Sequence, residues 1–209
     1  MGEITALSVQ SKDKTRCNVY IDGRFSCGLS IAAAMTHRLK VGMQVDDGYL
    51  AEIQMDSDKD VALSKALSFV TATQKTKKQV RDYLAKKGYL PAVVNYVLDK
   101  MTDYKFLDDS AYASSYCQSA AKRKGKKLIR LELLSKGVEE EDMDGALEEV
   151  DEETQKETAT VLVQKYMRGK LVDKETTQKA FRYLLSKGFD YEVAKAALAT
   201  LVDVEEWER

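Results

Sequence analysis

The sequence predicts a mainly α-helical protein: an elongated, curved array of three tandem three-helix repeats, preceded by a small N-terminal region that contains a β-hairpin. Three observations predict it. The 209 residues include a single proline, Pro91, and helix interiors exclude proline. A short segment ending in Lys-Gly occurs three times, and apolar residues recur at helical spacing from about Asp58 onward. The first fifty residues instead carry strand and turn patterns.

The N-terminal region, assigned here to residues 1–57, is expected to begin with paired strands. Ile4–Val9 fits a strand that places Ile4, Ala6 and Ser8 on one side. Cys17–Ile21 fits a second strand, and the Asp22-Gly23 dipeptide after it suits a two-residue hairpin turn. The sequence leaves three roles open for this hairpin: contact with a partner, capping of the repeats, or dimerisation.

The rest of the N-terminal region predicts less regular structure. Ser30–Arg38 fits a short helix, and Lys40–Asp47 a loop or short strand. If the hairpin turn has two residues, Cys17 and Cys27 are not directly opposite each other, which argues against a disulfide between them.

The three similar segments each end a predicted helix. They are Tyr83–Tyr89, Glu132–Val138 and Tyr183–Phe189, and their glycines stand 49 and 51 residues apart. Glycine after a helix can adopt the left-handed conformation that ends it, and the apolar residue that follows can fold back onto the last turn. The repeat is the strongest signal in the sequence.

Helices on either side of these segments complete a unit of three helices in roughly 50 residues. The first helices are expected at about Asp58–Thr73, Asp108–Arg123 and Asp151–Arg168. The last helices carry the apolar stripes Val94, Val97, Leu98, Met101; Met143, Ala146, Leu147, Val150; and Ala194, Ala197, Leu198, Leu201. We therefore assign the repeats to residues 58–107, 108–150 and 151–209, the last with an acidic tail that contains Trp207.

Signals for helix starts agree with this division. Thr76 and Gln79 fit a capping box, Asp108 and Asp190 fit N-caps, and Pro91 suits a first helical turn. Units of this kind bury their faces mainly against their neighbours and grow along one axis. Three of them should form a curved rod that is longer than it is wide.

Composition excludes several classes of protein. No apolar run approaches the roughly 20 residues that span a bilayer, and Met1–Gln10 does not fit a signal peptide, so we expect no membrane contact and a cytoplasmic location. The three cysteines are not grouped for zinc, and phosphate-cradling glycine motifs are absent. His37 is the only histidine and has no nucleophile at a recognisable spacing. We expect no enzyme, no metal and no cofactor.

The most distinctive charge pattern is a basic segment, residues 122–130, with six positive charges in nine residues and no negative one. Clustered cations of this kind attract a phosphate backbone, although a solvated loop at a helix C-terminus is the simpler alternative. Its members are Lys122, Arg123, Lys124, Lys126, Lys127 and Arg130. Cations at similar places in the other repeats could extend it into a stripe: Lys75, Lys77, Lys78 and Arg81 in the first, Lys165, Arg168 and Lys170 in the third.

Acidic residues follow directly, with ten in the fifteen residues of 139–153. They could contact a basic partner or repel nucleic acid, but the favoured interpretation is acids complementing a helix dipole and staying hydrated. Asp108-Asp109 is likewise interpreted as helix capping rather than a metal or acid–base site. Six tyrosines could stack on bases, although their spacing favours packing: Tyr83, Tyr89, Tyr96, Tyr104, Tyr112 and Tyr116.

Three motifs occur in order along the repeats. Phe106–Ala113 holds a leucine, paired aspartates and an aromatic residue followed by alanine. Gly125, Ile129 and Glu132–Val138 form a second motif, and Arg182–Phe189 is its counterpart in the third repeat. Together these motifs resemble the signature, the central pattern and the third-repeat pattern of the RecX family of recombination regulators. The resemblance covers about residues 58–201, with Lys75, Thr76 and Gln79 where the family often has Arg, Ser and Glu, and Leu128 where a basic residue is common.

The resemblance implies a regulatory protein that binds the RecA–DNA filament and restrains filament extension, ATP hydrolysis and strand exchange in DNA repair and the SOS response. We expect it to act as a monomer, with direct contact to DNA phosphates. The alternative is a general DNA-binding helical-repeat module that needs no recombinase. A third possibility, an inert helical scaffold for another protein, leaves these motifs unexplained.

Overall fold

The structure is a computed structural model that describes residues 1–201. The acidic tail with Trp207 lies outside the described residues. The chain divides into two compact units, one of residues Met1–Leu107 and one that begins at Asp108. The first unit contains, in order, β1 (Gly2–Val9), β2 (Arg16–Ile21), β3 (Arg24–Ser30), α1 (Ile31–Thr36), β4 (Gln44–Val45), α2 (Asp47–Ala72), α3 (Lys77–Lys86) and α4 (Pro91–Asp103).

The four strands form one antiparallel sheet in the order β3-β2-β1-β4. Asp22 and Gly23 join β2 to β3 as predicted, and both have positive φ, of 49° and 78°, as a two-residue hairpin turn requires. The expected shared side of β1 is wrong in part. A register shift between Ile4 and Ala6 leaves Ile4 buried, whereas Ala6 and Ser8 are exposed.

The cysteines agree with the prediction from the hairpin. Cys17 lies opposite Leu29, and Cys27 lies opposite Val19. Both thiols are free and buried in the core beneath the sheet, and Cys117 is free and buried in the second unit.

Helix α2 begins at Asp47 rather than near Asp58, so the predicted start was wrong and the assigned boundary between residues 57 and 58 falls inside a helix. Asp46 caps this helix by accepting a hydrogen bond from the Tyr49 backbone N–H at 2.8 Å. The apolar pattern is interrupted because Ser57 occupies the buried side, where its hydroxyl accepts the Ser30 N–H at 2.6 Å. A buried serine satisfied by the sheet looks like a surface residue in the sequence.

The second unit contains α5 (Asp109–Ala120), α6 (Lys126–Ser135), α7 (Glu140–Glu148), α8 (Glu152–Met167), α9 (Lys174–Ser186) and α10 (Tyr191–Ala199). Helices α2 to α10 thus form three successive groups of three, each with its own buried cluster. All the predicted stripe residues are buried except Leu201, which is half-buried.

Each middle helix ends at the predicted glycine, and the three ends are alike. Gly88, Gly137 and Gly188 have φ between 80° and 86°. The residue after each glycine donates its N–H to a carbonyl five residues earlier, as Phe189 does to Leu184. This pair of features is the glycine-terminated helix end expected from the sequence.

Most of the predicted helix starts are confirmed. Thr76 and Gln79 form the capping box, Asp108 accepts the Ala111 N–H at 2.9 Å, and Pro91 is the first residue of α4. Asp190 stands at the N-cap of α10 but makes no side-chain capping hydrogen bond. Its carboxylate instead forms an ion pair with Lys127 of the second repeat.

Candidate nucleic-acid interface

The basic segment, residues 122–130, joins α5 to α6 in the second unit. Its first residues form a turn after α5, Gly125 is the N-cap residue of α6, and the last cations lie in the first turns of that helix. The sequence therefore places these six cations close together on one connection, and the structure divides them into two groups.

Lys124 is held by an acidic residue within the same repeat. Its Nζ lies 2.5 and 2.7 Å from the two carboxylate oxygens of Glu132. Oε2 of Glu132 also accepts a hydrogen bond from the Tyr116 hydroxyl at 2.5 Å. Burial acts to raise the pKa of Glu132, but the hydrogen bonds from Lys124 and Tyr116 outweigh it and lower the pKa. Burial and the neighbouring carboxylate both raise the pKa of Tyr116, which therefore remains a donor.

Two more cations are paired across helices. The Nζ of Lys127 lies 2.6 Å from the Asp190 carboxylate of the third repeat. Arg130 forms an ion pair with Glu140 and lies 3.8 Å from the carboxylate of Asp144, both on α7. These exposed pairs contribute little to stability, but they give two of the six positive charges a carboxylate partner within the protein.

Lys122, Arg123 and Lys126 form the second group. Lys122 and Arg123 are exposed and Lys126 is half-buried. Within residues 1–201, none of the three forms an ion pair with a carboxylate. Because these cations have no carboxylate partner within the described residues, they are the most available for contact with a phosphate backbone or an acidic protein surface. We call these three residues the unpaired cations.

The backbone of the basic segment is bonded to the third repeat. The N–H of Gly125 donates to the Lys187 carbonyl at 2.9 Å, and the N–H of Lys127 donates to the Gly188 carbonyl at 3.1 Å. Between them, the N–H of Lys126 donates to Oε1 of Gln155 at 3.0 Å. The first amides of α6 are thus used inside the protein, so any phosphate contact has to come from side chains.

The predicted cations of the first repeat lie at the corresponding connection, before and within α3. Lys75 approaches the hydroxyl of Thr73, and its Nζ lies 5.1 Å from the centre of the Phe69 ring. Lys77 and Lys78 are in the first turn of α3, and Arg81 is exposed on the same helix.

The third repeat places its predicted cations around the end of α8. Lys165 lies in the last turn and Arg168 is the C-cap residue, and both are exposed. The Nζ of Lys170 lies 3.3 Å from the centre of the Tyr166 ring, so this lysine packs on an aromatic side chain.

The tyrosines that could have stacked on bases mostly pack within the protein, as their spacing favoured. Tyr83 stacks on Phe69 with ring centres 4.3 Å apart, and Tyr112 stacks on Tyr116 at 6.1 Å. Tyr89 and Tyr96 are also partly buried against the core of the first repeat. Tyr104 is the exception, at 65% exposed.

The acidic segment 139–153 largely does what the favoured interpretation expected. Glu140, Glu141 and Asp142 lie in the first turn of α7, and Asp151 caps α8 by accepting the Thr154 N–H at 2.6 Å. Pairing between this segment and Arg130 was not expected. Among residues 1–201, no group of three or more His, Cys, Asp or Glu side chains could hold a metal ion, and no helix is long and apolar enough to cross a membrane.

Comparison with known proteins agrees with this organisation. Four family models match the chain in succession: the regulatory protein RecX N-terminal domain at residues 2–46, and the first, second and third three-helix domains of RecX at residues 62–101, 108–147 and 153–198. The chain belongs to the RecX family. The predicted three tandem three-helix units behind a strand-containing region are confirmed.

Individual RecX proteins are similar over most of their length. The regulatory protein RecX of Clostridium tetani is 32% identical over 206 residues, which cover 97% of this chain and 95% of that protein. The Bacillus subtilis protein of the same name is 31% identical over 202 residues, covering 95% and 76%. A crystal structure of regulatory protein RecX gives a TM-score of 0.74 at 28% identity, covering 92% of this chain and 97% of the other. RecX from Lactobacillus salivarius gives 0.63 at 25% identity, covering 69% and 96%.

The residues that hold the basic segment in place could not be predicted from the sequence. Glu132 and Gln155 are polar residues on helices with no pattern that marks their partners. Gly125 stands out in the sequence only as part of a motif, although its lack of a side chain is what lets the third repeat approach. The ion pair between Asp190 and Lys127 could be predicted only by knowing how the second and third repeats pack on each other, and the sequence alone does not give that.

Proposed function

We propose that this protein binds the RecA–DNA filament in the cytoplasm and restrains its extension, ATP hydrolysis and strand exchange, acting as a regulator rather than an enzyme. Membership of a family of regulatory proteins named RecX supports the recombinase as the target. The observation that carries the site is the group of unpaired cations, which lie within five consecutive residues of a segment whose backbone is bonded to the third repeat from Gly125 to Lys127.

The unpaired cations favour contact with nucleic-acid phosphates. Lys122 and Arg123 leave α5 side by side and are exposed, so they can reach a phosphate without breaking an internal ion pair. Each phosphate that a cation neutralises releases condensed counterions, so binding becomes weaker as the salt concentration rises. Lys124, Lys127 and Arg130 would first have to exchange a carboxylate for a phosphate.

Repetition of the cationic connection in all three repeats supports a ligand that is itself repetitive. Several weak contacts on one molecule raise the overall affinity steeply when they can be made together. A polymer of RecA subunits on DNA offers such repeated contacts, and one monomer of this protein would block access to several of them. Inhibition would follow from occupancy of the filament and needs no catalytic group.

The direct test is RecA-dependent ATP hydrolysis on single-stranded DNA, titrated with this protein. We expect hydrolysis to fall as the protein is added and to remain low at saturation. Full hydrolysis in the presence of excess protein would contradict the proposal.

Binding to DNA alone distinguishes the alternative, a general DNA-binding module. Gel shifts at two salt concentrations without recombinase measure it. Tight, salt-dependent binding together with unchanged RecA activity would favour the alternative. Weak binding to DNA alone together with strong inhibition favours the filament as the target.

A further inference from the structure

We propose that the third repeat is a positioning element for the basic segment of the second repeat, and that Gly125, Gly188 and Gln155 are the positioning residues. This inference rests on the proposed function, since it explains how the unpaired cations are presented to a filament. It adds that the second repeat cannot present them without the third.

Gly125 and Gly188 meet backbone to backbone. A Cβ atom on Gly125 would overlap the carbonyl of Gly188 and the backbone nitrogen of Phe189, and a Cβ on Gly188 would overlap Leu128. The φ of Gly125 is −79°, which any residue adopts, so glycine is needed there for space and not for conformation. The hydrogen bonds of Gly125 and Lys127 to the Lys187 and Gly188 carbonyls depend on this approach.

The start of α6 differs from the starts of the other middle helices. Thr76 caps α3 and Asp173 caps α9, each with its own side chain, whereas Gly125 has no side chain to cap α6. The third repeat supplies the missing acceptor, because Oε1 of the buried Gln155 binds the Lys126 N–H. Nε2 of Gln155 has no hydrogen-bond partner among the described residues, so the acceptor oxygen accounts for the polar contact of this side chain.

These bonds lie at or directly after the unpaired cations in the chain. Lys126 is itself held through its backbone, and Lys122 and Arg123 lie only a few residues before the first bond at Gly125. If the bonds between residues 125–127 and the third repeat break, the basic segment becomes flexible. The free energy of binding to a filament then has to offset the cost of ordering it again. Ordering costs of this kind lower affinity without removing any charge.

The test compares Gly125→Ala with Gly145→Ala in the full chain. Gly145 lies in α7, is exposed, and an added Cβ would meet nothing within 4 Å. We expect Gly125→Ala to speed hydrogen exchange of the residue 125 to 127 amides at least tenfold and to weaken binding to RecA filaments about tenfold, the equivalent of ordering a few side chains. Gly145→Ala should leave both unchanged.

A second pair of variants keeps the proposal testable if Gly125→Ala does not fold. Gln155→Leu removes the acceptor for the Lys126 amide, whereas Gln155→Glu keeps it and places a carboxylate at a helix N-terminus, where negative charge is favourable. We expect the leucine variant to lose protection of that amide and bind filaments more weakly. The glutamate variant should keep both the protection of the Lys126 amide and the filament binding of the wild type.

Normal filament binding by Gly125→Ala or Gln155→Leu with exchange-labile amides would overturn the positioning role and leave the proposed function intact. Unchanged amide protection in both variants would overturn it as well. Absence of filament binding by the wild-type protein would instead contradict the proposed function.

Discussion

The carboxylate of Glu132 holds Lys124 through both of its oxygens, at 2.5 and 2.7 Å from Nζ. The corresponding residues of the first and third repeats are Tyr83 and Tyr183, which stack on Phe69 and Tyr166. The second repeat therefore replaces a stacked aromatic pair with a charged contact, and that contact joins the basic segment to the body of α6.

Replacing Glu132 with glutamine tests this contact through its pH dependence. The pKa of Glu132 is lowered in the folded protein, so its stabilising effect is present at neutral pH and is lost as the pH falls through the folded-state pKa. We expect Glu132→Gln to lower the free energy of unfolding by about 1 kcal/mol at pH 7 and by progressively less below about pH 4. Urea unfolding at several pH values measures this.

Glu148→Gln is the control for that experiment, because Glu148 is an exposed carboxylate on α7 that forms no ion pair within residues 1–201. It should show no loss at pH 7. An equal loss in both variants, or a loss for Glu132→Gln that persists at low pH, would contradict the assigned role of the ion pair.

Two leucines of α6 test which side of this helix is the core. Leu133 is fully buried in the cluster of the second repeat, whereas Leu131 is 62% exposed. We expect Leu133→Ala to cost about 2–5 kcal/mol of unfolding free energy and Leu131→Ala about 0.5 kcal/mol or less. Similar losses in thermal or urea unfolding would mean that the assigned helix face is wrong.

The three thiols should be unreactive in the folded protein. Burial raises the pKa of Cys17 and of Cys117, and the proximity of Cys27 to Cys17 and of Glu149 to Cys117 acts in the same direction. Less thiolate and little access slow the reaction with a thiol reagent such as DTNB. We expect slow labelling of the native protein and prompt labelling of three thiols in denaturant. Fast labelling of one native thiol would place that cysteine at the surface.

Most of the helical framework could be predicted because its signals are local. The Lys-Gly helix ends, the capping box of Thr76 and the apolar stripe that includes Val97 depend on residues within a few positions of each other. The start of α2 could not, because the buried Ser57 is satisfied by Ser30 of the sheet, far away in the sequence.

The basic segment could be predicted as a cluster but not as a site with two kinds of cation. Which lysines are paired depends on Glu132 and Asp190. The turn before α6 brings Lys124 to Glu132, and packing between the second and third repeats brings Lys127 to Asp190. A charge count cannot separate a lysine with a carboxylate partner from one without. For the same reason, reversing charge at Lys124, Lys126 and Lys127 together would disturb the fold as well as any ligand contact.

Charge reversal at the exposed unpaired cations avoids this difficulty. Lys122→Glu combined with Arg123→Glu changes two residues that form no ion pair within residues 1–201. Lys156→Glu combined with Lys179→Glu makes the same change in net charge at exposed pairs on α8 and α9, whose loss costs little stability.

Co-sedimentation with assembled RecA filaments on single-stranded DNA, over a range of salt concentrations, compares these variants with the wild type. We expect the Lys122/Arg123 variant to bind at least tenfold more weakly and with a shallower salt dependence, by about one unit of slope for each phosphate that is no longer neutralised. The Lys156/Lys179 variant should bind much like the wild type. Equal binding by all three proteins would contradict the assignment of the filament-binding surface to the basic segment.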